Sequence, residues 1–123
     1  MKKKLLVVDD EKAAAELLVS FFKTKPDIEP IAAFTLEDAI SLIKIHKPEI
    51  LIVDLNLAGK SGLDVIRHAK EIIPASAIIV VTGLPDEYLE VESQMLGAEY
   101  FLEKPIKIEE LAMLVEKIMK ELS

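Results

Sequence analysis

The stretch Ile50-Leu51-Ile52-Val53-Asp54 is apolar at four successive positions and then ends on an acid. A strand with one wet face would alternate apolar and polar residues. This one has no polar face, so it reads as a central strand of a parallel sheet, covered by helices on both sides. Working outward, similar runs recur at Leu5 to Val8, Ile28 to Ala33, Ala77 to Val81 and Tyr100 to Leu102. The segments between them have helical spacing. Ile108, Leu111, Val115, Ile118 and Leu122 recur at steps of three and four, as do Leu17 with Phe21 and Leu18 with Phe22. The resulting map is strand 4–9, helix 11–24, strand 28–33, helix 36–46, strand 50–54, helix 62–72, strand 77–82, helix 86–96, strand 99–103 and helix 107–121. Five strands alternating with five helices predict an α/β fold with a parallel sheet, as one domain over 1–123.

Punctuation agrees with the map. Thr35-Leu36-Glu37-Asp38 and Ser61-Gly62-Leu63-Asp64 have the form of capping boxes at helix starts. Pro26, Pro48 and Pro74 each stand just before a strand, where a helix should have ended. Gly97 follows the fourth helix, where a left-handed residue is expected.

Composition narrows the function classes. At 123 residues and 51% apolar, the chain can bury a core without staples. It has no cysteine, which excludes disulfides, a thiol nucleophile and thiolate metal sites. Fifteen basic against 22 acidic residues leave a net charge of −7, which repels nucleic acid and anionic lipid. Met1-Lys2-Lys3-Lys4 reads as a solvated strand end. No apolar run approaches the roughly 20 residues of a membrane helix, so a cytoplasmic protein is expected. His46 and His68 lack partners at metal spacing and read as surface residues.

Ligands of an open parallel sheet bind beyond the carboxyl ends of its strands. Strand one ends in Asp9-Asp10, strand three in Asp54, strand four in Thr82-Gly83 and strand five in Lys104-Pro105. Three packed carboxylates repel one another, and a hard divalent cation relieves this. Oxygen donors suit Mg²⁺ or Mn²⁺. Asp10 and Asp54 would bind directly, Asp9 through a water, and the Asn56 backbone carbonyl would complete the set. A carboxylate can attack phosphorus to form an acyl phosphate. Asp54, ending the most buried strand, is the candidate nucleophile. The Lys104 ammonium would oppose the phosphoryl oxygens and the Thr82 hydroxyl would donate to one of them. Taken singly, Asp10 is more simply a helix cap, Thr82 a β-former and Lys104-Pro105 a turn. Chemistry at four strand ends out of five favours one joint site.

The constellation Asp9-Asp10, Asp54, Thr82 and Lys104-Pro105 resembles the receiver domain of two-component response regulators. Val7-Val8-Asp9-Asp10-Glu11, Asp54-Leu55-Asn56-Leu57 through Ser61-Gly62-Leu63-Asp64, and Gly97-Ala98 through Lys104-Pro105 carry the likeness, which covers essentially the whole chain. It implies a flavodoxin-like (βα)5 fold with strand order 2-1-3-4-5. It also implies that Asp54 accepts a phosphoryl group from the histidine of a sensor kinase or a phosphotransfer protein, with Mg²⁺. The domain would catalyse only its own phosphorylation and dephosphorylation. By the same likeness the Lys104–Pro105 bond would be cis, and Thr82 and Phe101 would form a switch. That switch would reshape the surface of helix four, strand five and helix five, for a downstream partner, an output domain or a homodimer.

There are departures from the family pattern. Ala58 stands where proline is frequent and Gly83 where alanine is common, so both loops are expected to flex more. Phe101 replaces a more frequent tyrosine, and Lys107 a capping residue. Leu84, flanking the acyl phosphate site, cannot orient water. Tyr88, Val91 and Met95 form a second apolar stripe on helix four, either a partner patch or ordinary side-chain cover.

Three rival readings fare worse. A phosphatase of the haloacid dehalogenase type wants an acid where Asn56 stands. A flavodoxin-like cofactor binder wants a phosphate-cradling loop where Asp9-Asp10-Glu11-Lys12 stands. A receiver-like scaffold untouched by phosphate has no need of all five chemical residues.

Overall fold

The computed structural model describes residues 2–83 and 87–122. Strands β1 (Lys3–Val8), β2 (Ile28–Ala33), β3 (Ile50–Asp54), β6 (Ala77–Thr82) and β7 (Tyr100–Glu103) form one parallel sheet in the order β2-β1-β3-β6-β7. This is the expected five-stranded order, counted over the main strands. The connecting helices are α1 (Lys12–Phe22), α2 (Leu36–His46), α3 (Leu63–Ile72), α4 (Glu87–Met95) and α5 (Ile108–Leu122).

All five residues of β3 are buried, because both sheet faces are covered. Alternate side chains divide between two cores. Leu5 and Val7 join Leu18 and Phe22 of α1 and Leu111, Val115 and Ile118 of α5. Leu6 and Val8 join Ala39 and Ile43 of α2 and Val65, Ile66 and Ala69 of α3. Each fully buried Leu or Ile contributes about 1.5–3 kcal/mol. Helix α4 is the exception. Its buried residue among those described is Ser93, and it rests on the core through half-buried Leu89 and Leu96.

Helix ends follow the sequence signals with one correction. Thr35 Oγ1 accepts from the Asp38 N–H at 3.1 Å, as a cap should. Ser61 does not form a capping box; its Oγ accepts from the Leu63 N–H at 3.1 Å, and Gly62 is the cap residue. Gly97 has φ +112°, donates to Gln94 O at 3.0 Å, and is followed by an Ala98 N–H bond to Ser93 O at 2.9 Å. This pair closes the end of α4 as a Schellman motif. The expected first residue of helix four, Asp86, and Leu84 lie outside the described residues.

The loop after Asp54 holds a hairpin that the sequence did not announce. Strands β4 (Asn56–Leu57) and β5 (Lys60–Ser61) pair antiparallel around Ala58 and Gly59. Both turn residues are left-handed, with φ +50° and +85°, as a tight two-residue hairpin requires. Proline, fixed near φ −65°, cannot take the Ala58 conformation. Buried Leu57 anchors the hairpin to the core. At Gly62 the chain passes so close to the end of β3 that a Cβ would lie 2.3 Å from the Asp54 carbonyl oxygen and 2.9 Å from the Leu55 Cα. Only glycine fits there.

Two expectations follow for urea denaturation. Ala58→Gly should raise stability by up to about 1 kcal/mol by removing left-handed strain, whereas Ala58→Pro should lower it by about 3 kcal/mol or more. Gly62→Ala should cost about 1–3 kcal/mol, because backbone must move to admit the methyl group.

Candidate functional site

Three strands deliver the site. Past β1, the Asp9 N–H bonds to Ala33 O at 3.1 Å, so Asp9 is held by the sheet and is only 5% exposed. Asp54 ends β3 and is 7% exposed. Past β7, the Lys104 N–H bonds to Thr82 O at 2.9 Å, extending the pairing of Thr82 with Glu103 by one more rung. The Lys104–Pro105 peptide bond is cis.

The two buried acids are held in the same way. Asp9 Oδ1 accepts from the Glu11 N–H at 3.0 Å, and Asp54 Oδ1 accepts from the Asn56 N–H at 2.9 Å. These are Asx turns, in which a carboxylate satisfies the backbone two residues on. The other oxygen of each acid faces Lys104. Its Nζ donates to Asp54 Oδ2 at 2.8 Å and to Asp9 Oδ2 at 3.2 Å. Burial pushes the Lys104 ammonium toward neutrality, but the hydrogen bonds and charges of Asp54 and Asp9 outweigh it and hold its pKa above the ordinary lysine value.

The carboxylates of Asp9, Asp10 and Asp54 offer oxygens that all lie within 4.8 Å of one another. Against one ammonium, three carboxylates leave an excess of two negative charges in a partly buried pocket. Asp10 is the exposed member. The donors are all hard oxygens with no nitrogen or sulfur, so the set fits a hard divalent cation of the Mg²⁺ type.

The remaining sequence candidates stand at varied distances from this cluster. Val81 pairs with Asp54 across β3 and β6, so half-buried Thr82 stands one residue beyond it at the rim. Phe101 pairs with Val80 and packs, partly buried, against the core on the α2–α3 side. A Cβ on Gly83 would sit 3.8 Å from the Lys104 Cβ and Cδ, an ordinary contact. His46 and His68, read as surface residues, are both half-buried, and His68 Nδ1 lies 2.8 Å from Asp64 O.

Two features were missed by sequence reasoning. The first is the paired Asx turns, whose signal was present in the spacing Asp9 to Glu11 and Asp54 to Asn56. The second is a concavity of about 520 Å³ beside the site, lined by Asp9, Lys104, Gly83, Leu18, Ile106 and Leu17. Leu17, which helical periodicity assigned to the apolar stripe of α1, is 63% exposed at its lip.

Comparison with known proteins agrees with this fold. The family model for the response regulator receiver domain matches residues 5–116. Among solved structures, the chain is similar to a signal receiver domain attributed to a Luxo repressor protein from Vibrio parahaemolyticus. The two share 30% identity with a TM-score of 0.88, over 98% of this chain and 92% of the other. A two-component response regulator from Clostridium difficile shares the fold at 21% identity and a TM-score of 0.91, over 99% of both chains. A response regulator from Burkholderia pseudomallei, solved with a phosphorylated aspartic acid, a calcium ion and citrate, is 26% identical with a TM-score of 0.84. That match covers 99% of this chain and 74% of the other.

The shared ammonium has a measurable consequence. Lys104→Met should destabilise the metal-free chain by about 3 kcal/mol, because it strands two nearly buried carboxylates. Adding Asp9→Asn to that variant should recover part of the loss. Urea denaturation in the presence of a chelator reads both effects.

Proposed function

Because the chain belongs to the response regulator receiver domain family, which serves two-component signalling, we propose that it takes a phosphoryl group onto Asp54 from the histidine of a sensor kinase or phosphotransfer protein. One observation carries the proposal: the Lys104 ammonium reaches Asp54 at 2.8 Å and Asp9 at 3.2 Å across 50 and 95 residues of sequence. A capping or purely structural role for these acids does not require that convergence. The Burkholderia pseudomallei relative with its phosphorylated aspartic acid and calcium ion supports the same chemistry.

In the transfer, one Asp54 carboxylate oxygen forms a bond to phosphorus as the donor's N–P bond breaks, and the electron pair stays on the departing imidazole nitrogen. The Asn56 N–H keeps the carboxylate oriented. The Lys104 ammonium exchanges the Asp54 oxygen for a phosphoryl oxygen and neutralises its charge. The Thr82 hydroxyl donates to another phosphoryl oxygen. Asp10, Asp54 and the Asn56 carbonyl, with Asp9 through a water, would hold a divalent cation, which would further neutralise the phosphoryl oxygens. Mg²⁺ is the expected ion and Mn²⁺ the substitute. Hydrolysis of the acyl phosphate uses the same groups, so the chain catalyses only its own labelling and reset.

Phosphorylation biases an equilibrium between two states. Thr82 moves toward the phosphoryl group, the Phe101 ring turns inward into the vacated space, and the α4–β7–α5 surface changes for its partner. The whole of 1–123 acts as this one receiver unit. No described helix is long and apolar enough to cross a membrane.

Incubation with Mg²⁺ and a small phospho-donor should add one phosphoryl group to the parent chain and none to Asp54→Asn. A label found by mass spectrometry on any other residue would falsify the assignment. Mg²⁺ at a hundredfold excess over its Kd should stabilise the chain by about 2.7 kcal/mol. Asp10→Asn should remove most of that gain while stabilising the metal-free chain, because one source of repulsion is gone.

A further inference from the structure

The last turn of α3 and the far end of α4 meet at one lysine. Lys70 stands half-buried in that turn of α3. Its Nζ donates to Pro74 O at 3.3 Å and to Ser76 O, both in the connection that leads into β6. Its methylene stem lies against Gly97, the left-handed residue that closes α4. A Cβ on Gly97 would sit 2.8 Å from the Lys70 Cε, 3.1 Å from its Cγ and 3.2 Å from its Cδ, so the stem occupies the place where another side chain would begin. Lysine suits this position, since its stem can cover a neighbour while its ammonium takes backbone oxygens. The other fastenings of α4 gather at the same end. Ser93 is fully buried, Ala98 is 4% exposed, and half-buried Leu96 packs on the core. At the front of the helix Glu87, Tyr88, Glu90 and Val91 are exposed, and Leu89 is the residue that rests on the core.

We propose that Lys70 makes the far end of α4 a fixed hinge: when the Asp54 site is filled, the front of the helix moves and residues 93–98 stay in place. The proposal deepens the signalling function and rests on it for the event that drives the motion. The free energy of opening a segment follows its buried contacts and its bonds to the rest of the chain. Residues 87–91 have one half-buried contact to lose. Residues 93–98 have a buried serine, a buried alanine, the Schellman closure and the lysine stem. A displacement that starts at the strand rim therefore meets α4 at its weakly held end and stops at its firmly held one. Lys70 is a positioning residue here. Its carbonyl partners precede β6, whereas Lys104 follows β7, so the two lysines lie at opposite ends of the parallel sheet.

Amide hydrogen exchange of the full chain, read by NMR, tests this in two steps. In the unlabelled chain, Lys70→Ala should speed exchange at residues 95–98 by about tenfold or more, while β1 and β3 change by less than about twofold. Lys70→Met, which keeps the stem and loses the ammonium, should fall between parent and alanine; it also reads the contrast if Lys70→Ala does not fold. In the second step the chain is filled with Mg²⁺ and beryllofluoride. The resulting changes in α4 should end before Ser93 in the parent and run on through Glu99 in Lys70→Ala, with equal rates of Asp54 labelling by a small phospho-donor in both. Unchanged exchange at 95–98 in both variants, or exchange faster everywhere by the same factor, would overturn the proposal. A parent chain that fills normally, yet changes as much at 95–98 as at 91–92, sinks the hinge alone. A chain that takes neither beryllofluoride nor phosphoryl group sinks the signalling reading and the motion with it.

Discussion

One ammonium shared by two nearly buried carboxylates is the constraint on which the site depends. Lys104 arrives from the end of β7, Asp9 from β1 and Asp54 from β3, and the ammonium bonds both acids. Without a counter-charge, those carboxylates would each carry a heavy desolvation cost. The parallel sheet makes the arrangement possible because it brings all three carboxyl ends to one rim. The two Asx turns spend the remaining oxygens on backbone N–H groups, which leaves the orientation of each carboxylate little freedom. Such a pocket is poised: an excess negative charge remains, and a hard cation can satisfy it.

The segment after Asp54 is fastened to the rest of the chain at several points. A left-handed two-residue turn folds β4 onto β5, Leu57 fastens the hairpin to the core, and Gly62 lets α3 begin against the Asp54 backbone. An ion pair between Lys60 and Glu37 ties the hairpin to the first turn of α2, although both partners are exposed and such a pair contributes little stability. Alanine at position 58 takes a left-handed conformation that proline cannot. The residue that frees the backbone to turn left-handed also allows the hairpin to close.

Helix α4 contrasts with the others. Where α1, α3 and α5 each bury three or more residues, α4 buries only Ser93 among the described residues, and its hydroxyl bonds back to Glu90 O at 2.8 Å. A helix with little apolar area in the core is held less tightly, and elements that move in switching are drawn from that class. Its apolar residues have instead been placed outward, where acids surround them. The two properties belong together, because apolar side chains that point outward cannot also fasten the helix to the core.

The order of elements, the identity of the central strand and the gathering of Asp9, Asp54 and Lys104 at strand ends on one rim were all legible in the amino-acid sequence. Periodicity reports burial directly, and a parallel sheet sends every carboxyl end to the same side. Thr35 and Gly97 also spoke for themselves, since capping depends on residues within one turn. What the sequence left open was decided by contacts between distant segments. Ala58-Gly59 lacks the Asn-Gly or Asp-Gly signal of a tight hairpin, and its turn exists because Leu57 and Gly62 are pinned on either side. Leu17 fits the apolar stripe of α1, yet it is exposed because the β7–α5 connection leaves a hollow beside it rather than a wall. The direction of the Lys104 side chain, and its division between Asp9 and Asp54, required three strand ends to be set in register; no local pattern encodes a distance between residues 9, 54 and 104.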